Sequence, residues 1–401
     1  MKHAPIIALT LLLIASACSA PNPATHPVQN ASLQAVHRIA SAAMATYHLK
    51  ALIVQVRRNG QNVYLQASGD SMTGVPATPQ MHFRNGAMAF TYMSTLLLEL
   101  VDRHKASLND RLDRYFPQLP HAHAITLKNL ANMTSGYADY VYQPEIERAT
   151  SLYPFRHWTS EELIRIGVSK PMMFQPGANW GYSHTNYVIL GRVIEKITGM
   201  PLAQAMNEYI IKPMGLRQTM GFNTPQIPPP VLHSFSSERR MPLGIPASKP
   251  FYEESTFWDP SWTTANGAVQ TSDITDVSKS MEDVGNGTLL SRQSFAEQVG
   301  PNLVGFGHAA AGCSVCHANT RAFNYGMGVV NFGAWMTQIK SFAGSNLTTG
   351  YLRPQKLTIT VVTTFLPSAY DVQGNAKDPS APIFASLANT FAPKSLSLPR
   401  P

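Results

Sequence analysis

Charge is what this 401-residue chain has least of. Only 13% of its residues are Asp, Glu, Lys or Arg, well under the roughly 25% of an average soluble protein. The 31 Lys and Arg against 23 Asp and Glu leave a formal net charge of +8. No dense Lys/Arg run or basic helix concentrates it, which removes the usual basis for nucleic-acid binding. Cysteine is nearly absent, with three in total. Long apolar runs are absent too: beyond the N-terminus, no segment is long and apolar enough to span a membrane. Internal repeats are missing. What the chain has instead is 44% hydrophobic residues and 30 prolines. That composition buries a sizeable core and suits a loop-rich exported protein better than a disordered one. The length fits one large mixed domain or two intertwined ones.

The N-terminus explains the export. Met1-Lys2-His3 is a short positive region, and IIALTLLLIA (6–15) is an apolar run of signal length, too short to span. Ala15-Ser16-Ala17-Cys18 follows, and it resembles a bacterial lipobox. Residues 1–17 are therefore expected to be a lipoprotein signal peptide, with Cys18 lipidated and holding the protein at a membrane of the cell envelope. The plainer alternative is an ordinary signal cleaved after Ala17 or Ala20, with Cys18 incidental and the product periplasmic or secreted. Residues 18–32 read as a tether.

The other two cysteines stand in Gly312-Cys313-Ser314-Val315-Cys316-His317. C-x-x-C-H is the sequence of c-type haem attachment. Here it occurs once, late in a large chain, outside any compact run of helices. A Cys313–Cys316 disulfide suits an exported chain better. A zinc site would need more ligands than His308 and His317 add nearby. No cofactor is expected.

Hydrophobic periodicity sets the organisation. LQAVHRIASAAMATYHL (33–49) has apolar residues at helical spacing. ALIVQVRRNGQNVYLQASG (51–69) reads as two strands around Asn59-Gly60, a strong hairpin signal. NYGMGVVNF, AWMTQIKSF and KLTITVVTTF read as three further strands, and PIFASLANTF (382–391) as a closing helix. The expected fold is α/β of the α+β type. An antiparallel sheet, split in sequence, carries the N- and C-terminal helices on one face. A helical insertion runs from about 85 to 320, including a Pro-rich surface excursion at 225–250. The domain spans 33–391, with a tail at 392–401.

Within the insertion, GAMAFTYMSTLLLELVDRHKASLNDRL reads as one helix, apolar nearly all round and therefore buried. Around it lie ordered landmarks. Phe83-Arg84-Asn85-Gly86 precedes it; His104 to Asp110 and Tyr115-Phe116-Pro117 follow it. Next come Ile125 to Leu130, Met133-Thr134-Ser135-Gly136-Tyr137 and Phe174-Gln175-Pro176-Gly177. Last come Tyr182 to Tyr187 and VILGRVIEKITGMPL. Each is weak alone. In this order the chain resembles the penicillin-recognising serine hydrolases, in the class C β-lactamase and D-Ala-D-Ala carboxypeptidase branch, over about 33–391.

The resemblance implies acyl transfer. A Ser at the start of the buried helix is the nucleophile, and a Lys one turn on helps remove its proton. A Y-x-N motif adds a Tyr as proton acceptor and an Asn that bonds substrate. A K-T-G or H-x-G strand shapes the far wall. Carried over, Ala87 stands at the Ser position and Phe90 at the Lys position. Neither can perform the covalent step. Tyr182 matches the Tyr, and His184 stands in place of the Asn. The third motif fits Gln338 and Lys340 only loosely, with Lys340 in place of a glycine. More plainly read, Ala87 and Phe90 are core residues, Tyr182 a half-buried aromatic and His184 a helix-start residue. Gln338 and Lys340 are then a strand pair with one side chain in and one out. Ser94, Ser135, Ser183 and Ser341 offer no replacement spacing for the nucleophile, and no H-E-x-x-H cluster offers a metal. The expectation is a hydrolase fold with a degenerate site. It would bind a peptidoglycan-like peptide, an ester or a protein. The rivals are a serine hydrolase (esterase, carboxypeptidase or β-lactamase type) with a rebuilt site, and a haem protein.

Overall fold

The computed structural model describes residues 27–222 and 224–396. The expected signal peptide, Cys18 and the expected tether up to His26 lie outside the described residues. Three strands begin the sheet: β1 (Leu49–Arg58), β2 (Gln61–Met72) and the short β3 (Val75–Pro76). Five more close the chain: β4 (Phe323–Tyr325), β5 (Val330–Phe332), β6 (Trp335–Phe342), β7 (Ser345–Leu352) and β8 (Leu357–Phe365). They form one eight-stranded sheet ordered β3-β2-β1-β8-β7-β6-β5-β4. Every pairing is antiparallel. The β1–β2 hairpin turns at Asn59 and Gly60, both at positive φ (52° and 75°), as a type I′ turn requires.

Alternation along β1 assigns the two faces. Leu52, Val54 and Val56 point to helix α1 (Pro27–Thr46) and to the closing helix (Ser380–Phe391), with Leu387 and Ala388. Ala51 and Ile53 point the other way, to Phe83, Ile274 and Val277 under the insertion. The tether is shorter than expected, while the closing helix ends at Phe391, just before the expected tail. α1 already begins at Pro27. Ser395 in the tail accepts a hydrogen bond from Trp335 Nε1 at 2.8 Å.

Three expectations need correction. The strand content near the C-terminus is greater than expected, because SNLTTGYL is β7 and all eight of its residues are buried. Its polar look hid it. Inside the sheet its hydroxyls pair, Thr349 with Thr360 at 2.7 Å and Thr348 with Ser380 at 2.8 Å, so burial leaves them satisfied. The long apolar helix is α2 (Met88–Asp102), fifteen residues of which twelve are buried. It stops where His104 turns to φ 56°, well before Leu112. The Pro-rich segment is not simply a surface excursion: Leu232 packs in the core, and Ser234 and Ser236 are buried.

Candidate active site

A small sheet pins the start of α2. Phe83–Arg84 pairs with Gln270–Ser272, which also pairs with Met220–Gly221. Asn85 then bonds Gln270 through its backbone N–H at 3.0 Å. Gly86 follows at φ 59°. A side chain there would meet Lys340 Cγ at 2.5 Å, so both the backbone angle and the space demand glycine. Ala87 occupies the N-cap of α2 with no side-chain cap. Its methyl group lines an open cleft of about 350 Å³. Phe90, one turn on, is buried and stacks on Tyr187, centroids 4.1 Å apart and planes at 19°. Position 90 is thus filled by an aromatic stack, and neither 87 nor 90 offers a side-chain oxygen or amine. Nowhere in the chain does a Ser precede a Lys by three residues.

Tyr182 and His184 line the same cleft. His184 opens helix α3 (His184–Thr198). The loop before the 140–142 turn is bolted to that helix start. Thr185 Oγ1 donates to Ala138 O at 2.6 Å, and Ser135 Oγ donates to Asn186 Oδ1. This places Asp139 beside the imidazole, with His184 Nδ1 to Asp139 Oδ2 at 2.8 Å. Asp139 is only 4% exposed. Its other oxygen accepts from Val141 N–H at 3.0 Å. His184 Nε2 has no hydrogen-bond partner among the described residues. The Tyr182 ring meets the His184 ring edge-on, centroids 5.2 Å apart. Burial, then the Asp139 charge, hold the Tyr182 phenol well above its ordinary value. It stays protonated, a donor and not the proton acceptor that the family resemblance implies.

The third motif divides. Gln338 and Lys340 are both buried while Ile339 is half exposed. Alternate strand residues share a face, so the expectation of one side chain in and one out fails. Gln338 does not line the cleft. Its Nε2 donates to Gly328 O at 2.8 Å, and it ties β6 to the loop beside α2. Lys340 does line the cleft, and its stem packs on Gly86. Its Nζ donates to Ser345 Oγ at 2.5 Å and lies 5.3 Å from the Phe83 ring centre. Burial, then the Arg84 charge, push this amine down to about 7. Beyond it a second pocket of about 340 Å³ is bordered by Arg84, Glu238 and Asp259.

Of the serines noted in the sequence, Ser94, Ser135 and Ser183 are engaged or enclosed, and Ser341 is not. Ser94 is buried on Tyr187 Oη at 2.7 Å. Ser183 is buried with no partner for its hydroxyl among the described residues. Ser341 is exposed at the cleft rim. Cys313 and Cys316 are joined, with Cα atoms 5.4 Å apart, so both thiols that haem attachment would consume are occupied. His317 packs on Trp180 at 4.3 Å. Cys316 bridges to Gly181, which sets the backbone just before Tyr182. Sequence reasoning missed Asp139 and Ser345. Asp139 lies two residues past the Ser135-Gly136-Tyr137 landmark, and only the fold brings it to His184.

A family model described as Beta-lactamase matches residues 36–378. The chain belongs to the β-lactamase family. Esterase EstB of Burkholderia gladioli is 28% identical over 214 residues, 49% of this chain and 53% of that protein. The putative penicillin-binding protein PbpX of Bacillus subtilis is 28% identical over 169 residues, 42% of this chain and 40% of its own length. The chain thus spans about half or less of these relatives. Among solved structures, D-amino acid amidase from Ochrobactrum anthropi, complexed with D-phenylalanine, superposes with a TM-score of 0.72. It is 19% identical, covering 90% of this chain and 99% of that one. A D-stereospecific amidohydrolase from Streptomyces gives 0.70 at 21% identity, covering 90% and 98%. At these identities the structural likeness shows the shared fold.

Proposed function

We propose that this chain is an envelope-anchored member of the family that has lost the covalent step and keeps the cleft for a ligand. The observation that carries the reading is the start of α2, where Ala87 and Phe90 stand at the positions of nucleophile and base. A hydrolase that acts through an acyl-enzyme needs both members as a unit. The cleft above them is still open, with Tyr182 and His184 on its wall. Peptidoglycan-like peptides and esters are the ligand classes that the relatives suggest, since they include an esterase and putative D-alanyl-D-alanine carboxypeptidases. Cys18 supplies the membrane anchor. Tyr182 and His184 are the residues that contact ligand.

Labelling tests the reading. The purified protein is incubated with fluorescent penicillin and with a fluorophosphonate, and its intact mass is taken. Unchanged mass is expected. A stoichiometric adduct on a serine overturns the reading. One observation favours the rival, a serine hydrolase with a rebuilt site: Lys340 Nζ sits on Ser345 Oγ. An adduct mapped to Ser345 would establish it. For the anchor, Cys18→Ser is expected to move the protein from the detergent phase to the aqueous phase of a phase-separation assay. Equal partition of both forms would refute lipidation.

A further inference from the structure

An imidazole with a buried carboxylate on one nitrogen and open space at the other is arranged as a general base. Asp139 holds His184 through Nδ1 at 2.8 Å, which fixes the tautomer with a proton on Nδ1 and a lone pair on Nε2. Asp139 is itself held, by the Val141 N–H at 3.0 Å. His184 Nε2 and the Tyr182 hydroxyl have no hydrogen-bond partner among the described residues, and both side chains line the cleft over Ala87. Ala87 offers no nucleophile, and the other hydroxyls on the lining, Ser341, Thr263 and Thr264, make no hydrogen bond to His184 among the described residues, so that part falls to a water molecule. The other walls include Val141, Trp262, Ile339 and Phe342, with Thr263, Thr264, Ser341 and the buried amine of Lys340 as further polar groups, and no Asp or Glu lines the cleft. Such a lining admits an uncharged, largely apolar ligand.

We propose that the cleft hydrolyses small neutral carboxylic esters with water as nucleophile, His184 as general base and Tyr182 as donor to the developing oxyanion. The inference rests on the reading that the cleft takes a ligand. Water oxygen bonds to the ester carbonyl carbon, and His184 Nε2 takes the water proton as the carbonyl π pair moves to oxygen. Tyr182 Oη–H stabilises that oxyanion. The pair then reforms the C=O bond, the bond to the alkoxy oxygen breaks, and the imidazolium returns its proton to the leaving alkoxide. Acid and alcohol depart, and the neutral imidazole is restored. Asp139 is a positioning residue: it keeps Nε2 aimed at the cleft and compensates the transient imidazolium.

Turnover of p-nitrophenyl butyrate and of ethyl butyrate, with binding of the matching ketone measured by calorimetry, tests this. Hydrolysis is expected without any acyl-protein mass. His184→Gln should lower kcat by about 10²–10⁴-fold, with KM and ketone affinity changed far less than kcat. Tyr182→Phe should lower it by roughly 10². Asp139→Asn should lower kcat and spare KM. His184→Gly should regain turnover when imidazole is added, which a folding defect would not permit. His157→Gln is the control. It removes a second His–carboxylate pair, to Asp259 at 3.1 Å, outside the cleft, and should leave turnover intact. Ketone binding without turnover, or full turnover in His184→Gln, overturns the dyad and leaves the ligand-cleft reading standing. Absence of both binding and turnover overturns the dyad and removes esters from the ligand classes of the cleft. An acyl adduct replaces water by a protein nucleophile and overturns both.

Discussion

Replacing Lys340 with Met is expected to abolish a pH dependence of stability that the wild-type protein shows between about pH 7 and about pH 9. The amine is buried against Gly86 and Phe83, and desolvation, aided by the Arg84 charge, pushes it down from 10.5 to about 7. In the unfolded chain it returns to roughly 10.4. Across that interval the unfolded state binds the extra proton, so stability rises with pH. At about 1.4 kcal/mol per tenfold change in proton activity, going from about pH 7 to about pH 9 relieves on the order of 2 kcal/mol. Met keeps an apolar stem on Gly86 and has no proton to exchange. Losing the Nζ–Ser345 hydrogen bond costs about 1 kcal/mol at every pH, which displaces the variant's curve without tilting it. Arg84, lowered to about 10, alters the balance only at higher pH. Urea unfolding at both pH values gives the two slopes. If wild type and Lys340→Met gain or lose stability in parallel, the amine is not desolvated in the folded state, and the account of the cleft wall fails.

The start of α2 and the cysteine loop give further tests. Phe90→Ala removes a buried ring stacked on Tyr187 and should cost about 3–5 kcal/mol, read from the urea midpoint; a loss under about 1 kcal/mol would mean the ring is not core. Ala87→Ser adds a hydroxyl at helical backbone angles (φ −68°, ψ −2°), where the Ala89 and Phe90 amides already bond the Gly86 and Ala87 carbonyls, and should change stability by less than about 0.5 kcal/mol. It should still take up no penicillin, because position 90 has no amine; a stable adduct would show that another base serves. Cys313→Ser with Cys316→Ser opens a very short loop and should cost no more than about 2 kcal/mol. The wild-type protein should show no free thiol at these two positions and no Soret band. Covalently bound haem would refute the disulfide.

The absence of any S-x-x-K was legible in the sequence, because it is a local pattern, and the start of the buried helix at Ala87 to Phe90 is read off landmarks that flank it. The hairpin at Asn59-Gly60 and β8, rich in β-branched Thr, Ile and Val, were legible for the same reason, since turn chemistry and β-branched runs act over a few residues. β7 was not legible. Its Ser, Asn and Thr side chains look like a loop until the facing hydroxyls of β8 and the closing helix satisfy them. The site divides along the same line. Composition and local motif determined the family resemblance and the apolar start of the buried helix, with a methyl group at 87 and a phenyl ring at 90. Only the tertiary structure decided what stands around them. It brings Asp139 across 45 residues to His184, and it closes the β6–β7 turn so that Lys340 meets Ser345. It also leaves the space above Ala87 open. Those pairings depend on how separate elements pack, and no spacing along the chain encodes them.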